Sequence, residues 1–215
     1  MQLIHQIQNH IQAIYGINVG QDAGDYLINR DELIALLPVN QQTLIPKELF
    51  LVNPQPQNDT LEIALFFDES LTQNLQTHDP LKKLSSENIS DFCTLVEGVS
   101  HFVYYLHKAS LELDISQLEL ELQAEIDKFV LLSLGVCGEN QRHEEILDML
   151  FENYHLHDKL TPAQRDRYHS ATQLARKYCY ELLQNFKSTA RHEFLHEIRT
   201  FYPLSQEQKI QYILS

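Results

Sequence analysis

Tryptophan is absent, and glycine is scarce, with six residues of which none follows Gly138. Glycine supplies left-handed turns and loops that cradle phosphate. The chain contains no G-x-x-x-x-G-K-[ST], no G-x-G-x-x-G and no G-x-S-x-G, so a P-loop, a dinucleotide fingerprint and a nucleophile elbow are all missing. Cysteine is equally thin. Cys93, Cys137 and Cys179 are far apart and form no C-x-x-C, a pattern that excludes a disulfide framework and reads as buried free thiols in a reducing cytoplasm. No run approaches the roughly 18 apolar residues of a membrane span. Met1 to Tyr15 alternates apolar with Gln, His and Asn and lacks a basic start, as expected of an amphipathic helix rather than a signal peptide. Basic residues are also few, 16 Lys and Arg against 30 Asp and Glu, for a net charge of −14. Such an acidic chain makes a poor phosphate-binding surface.

What the sequence does contain is strongly punctuated. Five of seven prolines lie between Pro38 and Pro80, so the first 80 residues read as mixed and the remainder as helical. Ile4, Ile7, Ile11 and Ile14 mark one face of a first helix that stops at Gly16. Asp25 to Ile28 reads as a short strand. Glu48–Val52 and Leu61–Phe67 read as a hairpin with a long Pro/Asn-rich tip at 53–59, with the first helix covering one of its faces. Beyond Ser86, cap signals space out a series of helices. Ser86 opens one to about Lys108, and Asp114 with Gln117 opens another ending near Gly135. Asn140 opens a third to about His157. Thr161-Pro162 with Gln164 opens a fourth to about Phe186, with a break at 187–189, and Ser205 with Gln208 opens the last. The expected fold class is therefore α+β and predominantly α. A helix-and-hairpin unit over 1–80 is followed by an antiparallel helical bundle over 85–215, the two packed as one unit.

The most conspicuous motif is His192-Glu193-Phe194-Leu195-His196, which spells the H-E-x-x-H of zinc peptidases. Its helix carries an apolar stripe at Ala190, Phe194, Leu195, Ile198, Phe201 and Tyr202. At helical periodicity His192 and His196 fall roughly 120–160° from the centre of that stripe, beside Arg199. No glycine-spaced third histidine follows, and a third ligand could come from upstream, for instance Glu97 or His101. A solvated helix face without a cofactor is the expected reading, and a zinc ion held by His192 and His196 is the alternative. Two E-x-x-H pairs, Glu152/His155 and Glu193/His196, also lie off the apolar stripes of their helices.

Two other stretches carry chemistry. The segment from Ser86 to Lys108 presents Glu97, His101, Tyr104 and Tyr105 away from its main apolar stripe, with Gly98 permitting a close approach. A Glu-His pair one turn apart with flanking tyrosines is expected as a polar layer or a partner-binding interface. The segment from Leu111 to Leu134 is apolar on two sides yet carries Glu119, Glu121, Glu125 and Asp127. Such a helix is sandwiched, so these carboxylates need lysine, arginine or tyrosine partners. The acidic excess lies in residues 1–160, whereas 161–215 carries more bases than acids. That basic strip (Arg165, Arg167, Arg176, Lys177, Lys187, Arg191, Arg199) either packs on the acidic body or meets an acidic partner.

From this pattern the expected function is a non-catalytic adaptor or subunit, cytoplasmic and without a membrane segment, that binds a protein partner or a second copy of itself. A metal-dependent hydrolase or oxidase built on histidines among His101, His155, His157, His192 and His196 is the first alternative. Nucleic-acid binding through the basic strip is the second.

Overall fold

The computed structural model describes residues 2–39, 42, 45–55, 60–135, 143–152, 161–186 and 191–215. Expectations placed on Cys137, Asn140, His155, His157 and the break at 187–189 fall outside them. The fold is α+β and predominantly α. Helix α1 spans Gln2–Tyr15 and buries Ile4, Ile7, Ile11 and Ile14. It ends where Gly16 adopts a φ of 68°, a left-handed position that glycine fills without steric cost. Arg199 finishes that end. Its guanidinium donates to the carbonyls of Ile14 at 2.7 Å and Ala13 at 3.0 Å, satisfying acceptors that the helix leaves open.

The sheet is small. Strand β1 (Leu27–Ile28) pairs parallel with β3 (Thr60–Phe67), and β2 (Glu48–Gln55) pairs antiparallel with β3, giving the order β1-β3-β2. The hairpin zips further than its prolines suggest. Pairing continues through Pro54↔Leu61 to Gln55↔Thr60, because β2 is an edge strand and a proline there need not donate to a ladder. Between β1 and the sheet's other elements lies α2 (Arg30–Leu36), opened by a capping box of Asn29 and Glu32. Helix α3 (Glu69–Thr77) follows β3 and is capped by Asp68. The punctuation reading missed both short helices.

The long helices α4 (Ile89–Ser110) and α5 (Gln117–Ser133) form the centre. They run antiparallel, since Glu97 meets Lys128, Ser100 meets Asp127 and Lys108 meets Glu119 along their seam. Helix α4, not α1, packs against both hairpin strands. Two caps differ from expectation. Asn88 rather than Ser86 precedes α4, and its amide ties the preceding loop by donating to the carbonyls of His78 and Lys83. Ser116 rather than Asp114 caps α5 through the Glu119 amide. Helix α6 (His143–Leu147) continues into a wider turn over Asp148–Glu152. Helix α7 (Pro162–Phe186) starts at the expected Thr161/Gln164 box, with the Thr161 amide donating to Gln164 at 3.0 Å. Helices α8 (Arg191–Phe201) and α9 (Gln206–Leu214) complete the chain, α9 opened by the expected Ser205/Gln208 box. One apolar core, from Ile4 through Phe92, Val99, Phe129 and Leu182 to Ile213, joins the N-terminal elements to the bundle. No helix among the described residues is long and apolar enough to cross a membrane.

Gly98 sets how closely the sheet sits on α4. A Cβ there would lie 2.7 Å from Phe67 Cζ and 2.8 Å from Glu48 Cγ, so the close approach is to two side chains. Alanine at 98 gains about 1 kcal/mol of helix propensity, but overpacking a buried ring costs about 1–3 kcal/mol. Gly98→Ala is therefore expected to lower the urea midpoint despite the propensity gain. A midpoint at or above that of the parent would show that Phe67 and Glu48 yield freely.

Candidate functional site

Polar residues one helical turn apart build two adjoining layers along the α4–α5 seam. In the first, Ser100, Tyr104 and Lys108 of α4 face Glu119, Gln123 and Asp127 of α5. Ser100 Oγ donates to Asp127 at 2.5 Å, Tyr104 donates to Glu119 at 2.5 Å, and Lys108 Nζ lies 2.8 Å from Glu119. Tyr15 of α1 donates to Asp127 at 2.5 Å, and Gln123 donates to the same carboxylate at 2.8 Å. Lys209 of α9 donates to Gln123 and sits over the Tyr104 ring at 4.5 Å and the Phe201 ring at 4.8 Å. Burial lowers this lysine to about 7 and raises Asp127 from its ordinary value against its three donors. Tyr202 closes the layer, stacked on Tyr15 with ring centroids 3.8 Å apart, and its hydroxyl has no hydrogen-bond partner.

The second layer lies one face over and faces the sheet. Glu97 and His101 of α4 meet Glu121, Glu125 and Lys128 of α5, Glu48 at the start of β2, and Arg167 of α7. Lys128 bridges Glu97 at 2.7 Å and Glu125 at 2.8 Å. His101 lies between two carboxylates, with Nδ1 3.7 Å from Glu48 and Nε2 3.5 Å from Glu121, and Arg167 Nε is 3.7 Å from Glu121. These three separations exceed hydrogen-bond length. Glu48 Oε1, His101 Nε2 and Arg167 Nε are accordingly buried in ion-pair contact but without hydrogen-bond partners among the described residues. Burial alone would lower His101, but Glu121 and Glu48 raise it well above the usual imidazole value. Burial raises Glu48 and Glu125, whereas Lys128 and His101 together hold Glu97 below its ordinary value against burial. One ligand atom from each of Glu97, His101 and Glu121 lies within 4.8 Å of the others. Among the described residues this is the group spaced to hold a metal ion.

The structure places the sequence candidates unevenly. Glu97 and His101 come together as neighbours in the second layer. Tyr104 is fully enclosed, so it presents no surface and belongs to the first layer. Tyr105 is half-buried and packs edge-on against Phe50. His192 and His196 are both exposed on α8, with Ile198 and Phe201 of the same helix buried opposite. A depression of about 280 Å³ near α8 is lined by His10, Ala13, Ile14, Leu134, Gly135, Arg191 and Leu195, with neither histidine of the motif among them. Much of the basic strip is engaged within the chain: Arg167 beside Glu121, Arg176 with Glu152, Lys177 with Glu181 and Arg199 on α1. Cys93 and Cys179 are free thiols, and burial pushes Cys93 up to about 12, which leaves it a weak nucleophile. Glu48 and Arg167 were missed as members of the polar layer. Glu48 had a readable signal, since strand alternation puts it on the same face as Phe50, which packs on His101 and Phe102.

Compared with protein families, curated proteins and solved structures, the chain matches none of them.

Proposed function

We propose that this protein is a non-catalytic subunit that binds another protein, or a second copy of itself, by accepting a strand at the edge of its sheet. The observation that carries the reading is the position of β2. It is eight residues long, outermost in the order β1-β3-β2, and among the described residues its ladder partner is β3 alone. An edge of that length offers unpaired backbone donors and acceptors to an incoming chain. Along the other edge of β3, the pairing among the described residues is with β1 at Leu65 and Phe66. A net charge of −14 steers such a surface toward a basic partner.

The inward direction of the titratable groups supports the same reading. In the first layer Lys108 pairs with Glu119, while Asp127 and Lys209 are held by Ser100, Tyr15 and Gln123 in the interior, where these contacts tie helices together. The test is sedimentation over a range of protein concentrations, combined with amide exchange. A dimer or a stoichiometric complex is expected, with amides of 48–53 slowing on assembly. A chain that stays monomeric, gains no protection in β2 and turns over a substrate is the opposite result and ends the proposal.

A further inference from the structure

We propose that Glu97, His101 and Glu121 bind one divalent first-row transition cation of the zinc or manganese class, with Glu48 and Arg167 orienting the ligands. The inference goes beyond strand addition and does not depend on it.

Four features support it. First, the donor set is chemically apt, since one imidazole and two carboxylates suit zinc, iron or manganese. Ligand atoms about 2.0–2.2 Å from a common ion stand about 3–4 Å apart, and these three stand within 4.8 Å of one another.

Second, the imidazole is aimed and unpartnered. The His101 side chain is only 9% exposed, and its Nε2 faces Glu121 from 3.5 Å without a hydrogen bond. A buried polar atom left without a partner is costly, and a cation between Nε2 and the two carboxylates would satisfy it.

Third, the surrounding groups have the arrangement that metal ligands require. Nδ1 of His101 faces the Glu48 carboxylate, itself nine-tenths buried with Oε1 unpartnered. Metal-bound histidines commonly donate their second ring N–H to such a carboxylate. Lys128 holds Glu97 by Oε2 at 2.7 Å and leaves the other oxygen for the ion. Arg167 Nε stands 3.7 Å from Glu121 Oε1, while Oε2 is the oxygen turned to His101.

Fourth, the charges match. Glu48, Glu97, Glu121 and Glu125 face Lys128 and Arg167 as permanent cations. With a neutral, ligating imidazole the layer is short of two positive charges, which one divalent ion supplies. The ion would bridge α4 to α5 and fix, through Glu48, the strand that forms the sheet edge.

The experiment is titration of chelator-stripped full-length protein with zinc alone and with manganese alone, by calorimetry and thermal unfolding. Cobalt substitution provides a spectrum of the coordination sphere. One equivalent is expected to bind the parent and raise its Tm. His101→Gln and Glu121→Gln should each weaken binding by at least about 100-fold, and Glu48→Gln by about 10-fold. The combined His192→Ala and His196→Ala variant should bind as the parent does. If the His101 variant does not fold, Glu121→Gln and the His192/His196 double variant decide, read on the cobalt complex, whose four- or five-coordinate nitrogen-and-oxygen ligation absorbs far more strongly in the visible than hydrated cobalt does. Absence of binding in the parent overturns the proposal. So does binding that survives His101→Gln or disappears with His192 and His196.

Discussion

Replacing Glu119 by leucine is expected to cost about 3–5 kcal/mol, enough to unfold a marginal domain at ambient temperature. Glu119 is 1% exposed, and its partner Lys108 has no exposed side-chain surface. The ammonium sits 2.8 Å from the carboxylate and also donates to the carbonyls of Pro203 at 3.3 Å and Leu204 at 3.1 Å, where α8 ends. Removing the carboxylate leaves a buried charge facing neutral acceptors only, together with a Tyr104 hydroxyl that has lost its acceptor. The loss is thus mainly a penalty on the groups left behind, and it should shrink when both charges go. Lys108→Met combined with Glu119→Leu is expected to be less destabilising than the two single changes added together, by about 2–3 kcal/mol. Urea denaturation of the four proteins closes the cycle. Additivity within about 0.5 kcal/mol would mean that the two charges do not depend on each other.

The same pair shows which parts of the molecule could be read from residues alone. The demand for partners followed from the two-sided hydrophobicity of α5, because a sandwiched helix cannot expose Glu119, Glu121, Glu125 or Asp127. Who the partners are did not follow, although part of the answer was present. Ser100, Tyr104 and Lys108 repeat every fourth residue, as do Glu119, Gln123 and Asp127, and two polar stripes of equal pitch on neighbouring antiparallel helices invite pairing. Of the two alternatives expected for Tyr104, a polar layer or a partner-binding interface, the structure has the layer, and the apolar stripe of α4 does not encode which. The boundaries of the long helices were legible where Thr161-Pro162 or Ser205 left a cap box. Asn88 and Ser116 stand where Ser86 and Asp114 were expected: the Asn88 amide closes its own loop onto His78 and Lys83, and the Ser116 hydroxyl also bonds Gln206. Glu48 and Arg167 reach His101 and Glu121 from distant parts of the chain, a meeting that no local spacing encodes. The H-E-x-x-H sequence is the converse case: a strong local pattern whose two histidines the helix turns outward.

Lys209 carries the second large effect, and it is one of pH. Burial lowers it from 10.5 to about 7, with Glu119 and Asp127 opposing that change and Lys108 reinforcing it. The rings of Tyr104, Phe201 and Tyr202 surround the amine and favour its charged form only in part. Above pH 7 the native state therefore releases a proton that the unfolded chain keeps until about 10.5. Because the unfolded state binds more protons throughout that interval, stability must rise with pH there. The contribution is complete above the unfolded value and is lost as pH falls through 7. The gain between pH 7 and 9.5 is about 3 kcal/mol by linkage. Tyrosine ionisation in the unfolded chain pulls the other way at higher pH, since burial holds Tyr15, Tyr104 and Tyr202 protonated in the native state. A comparison with Lys209→Met removes that common background. The difference in unfolding free energy between parent and variant should move in the parent's favour from pH 7 to 9.5 and be flat below about 6. A pH-independent difference would show that Lys209 keeps its proton in the native state, so that the aromatic cage and the Glu119 and Asp127 carboxylates outweigh its burial.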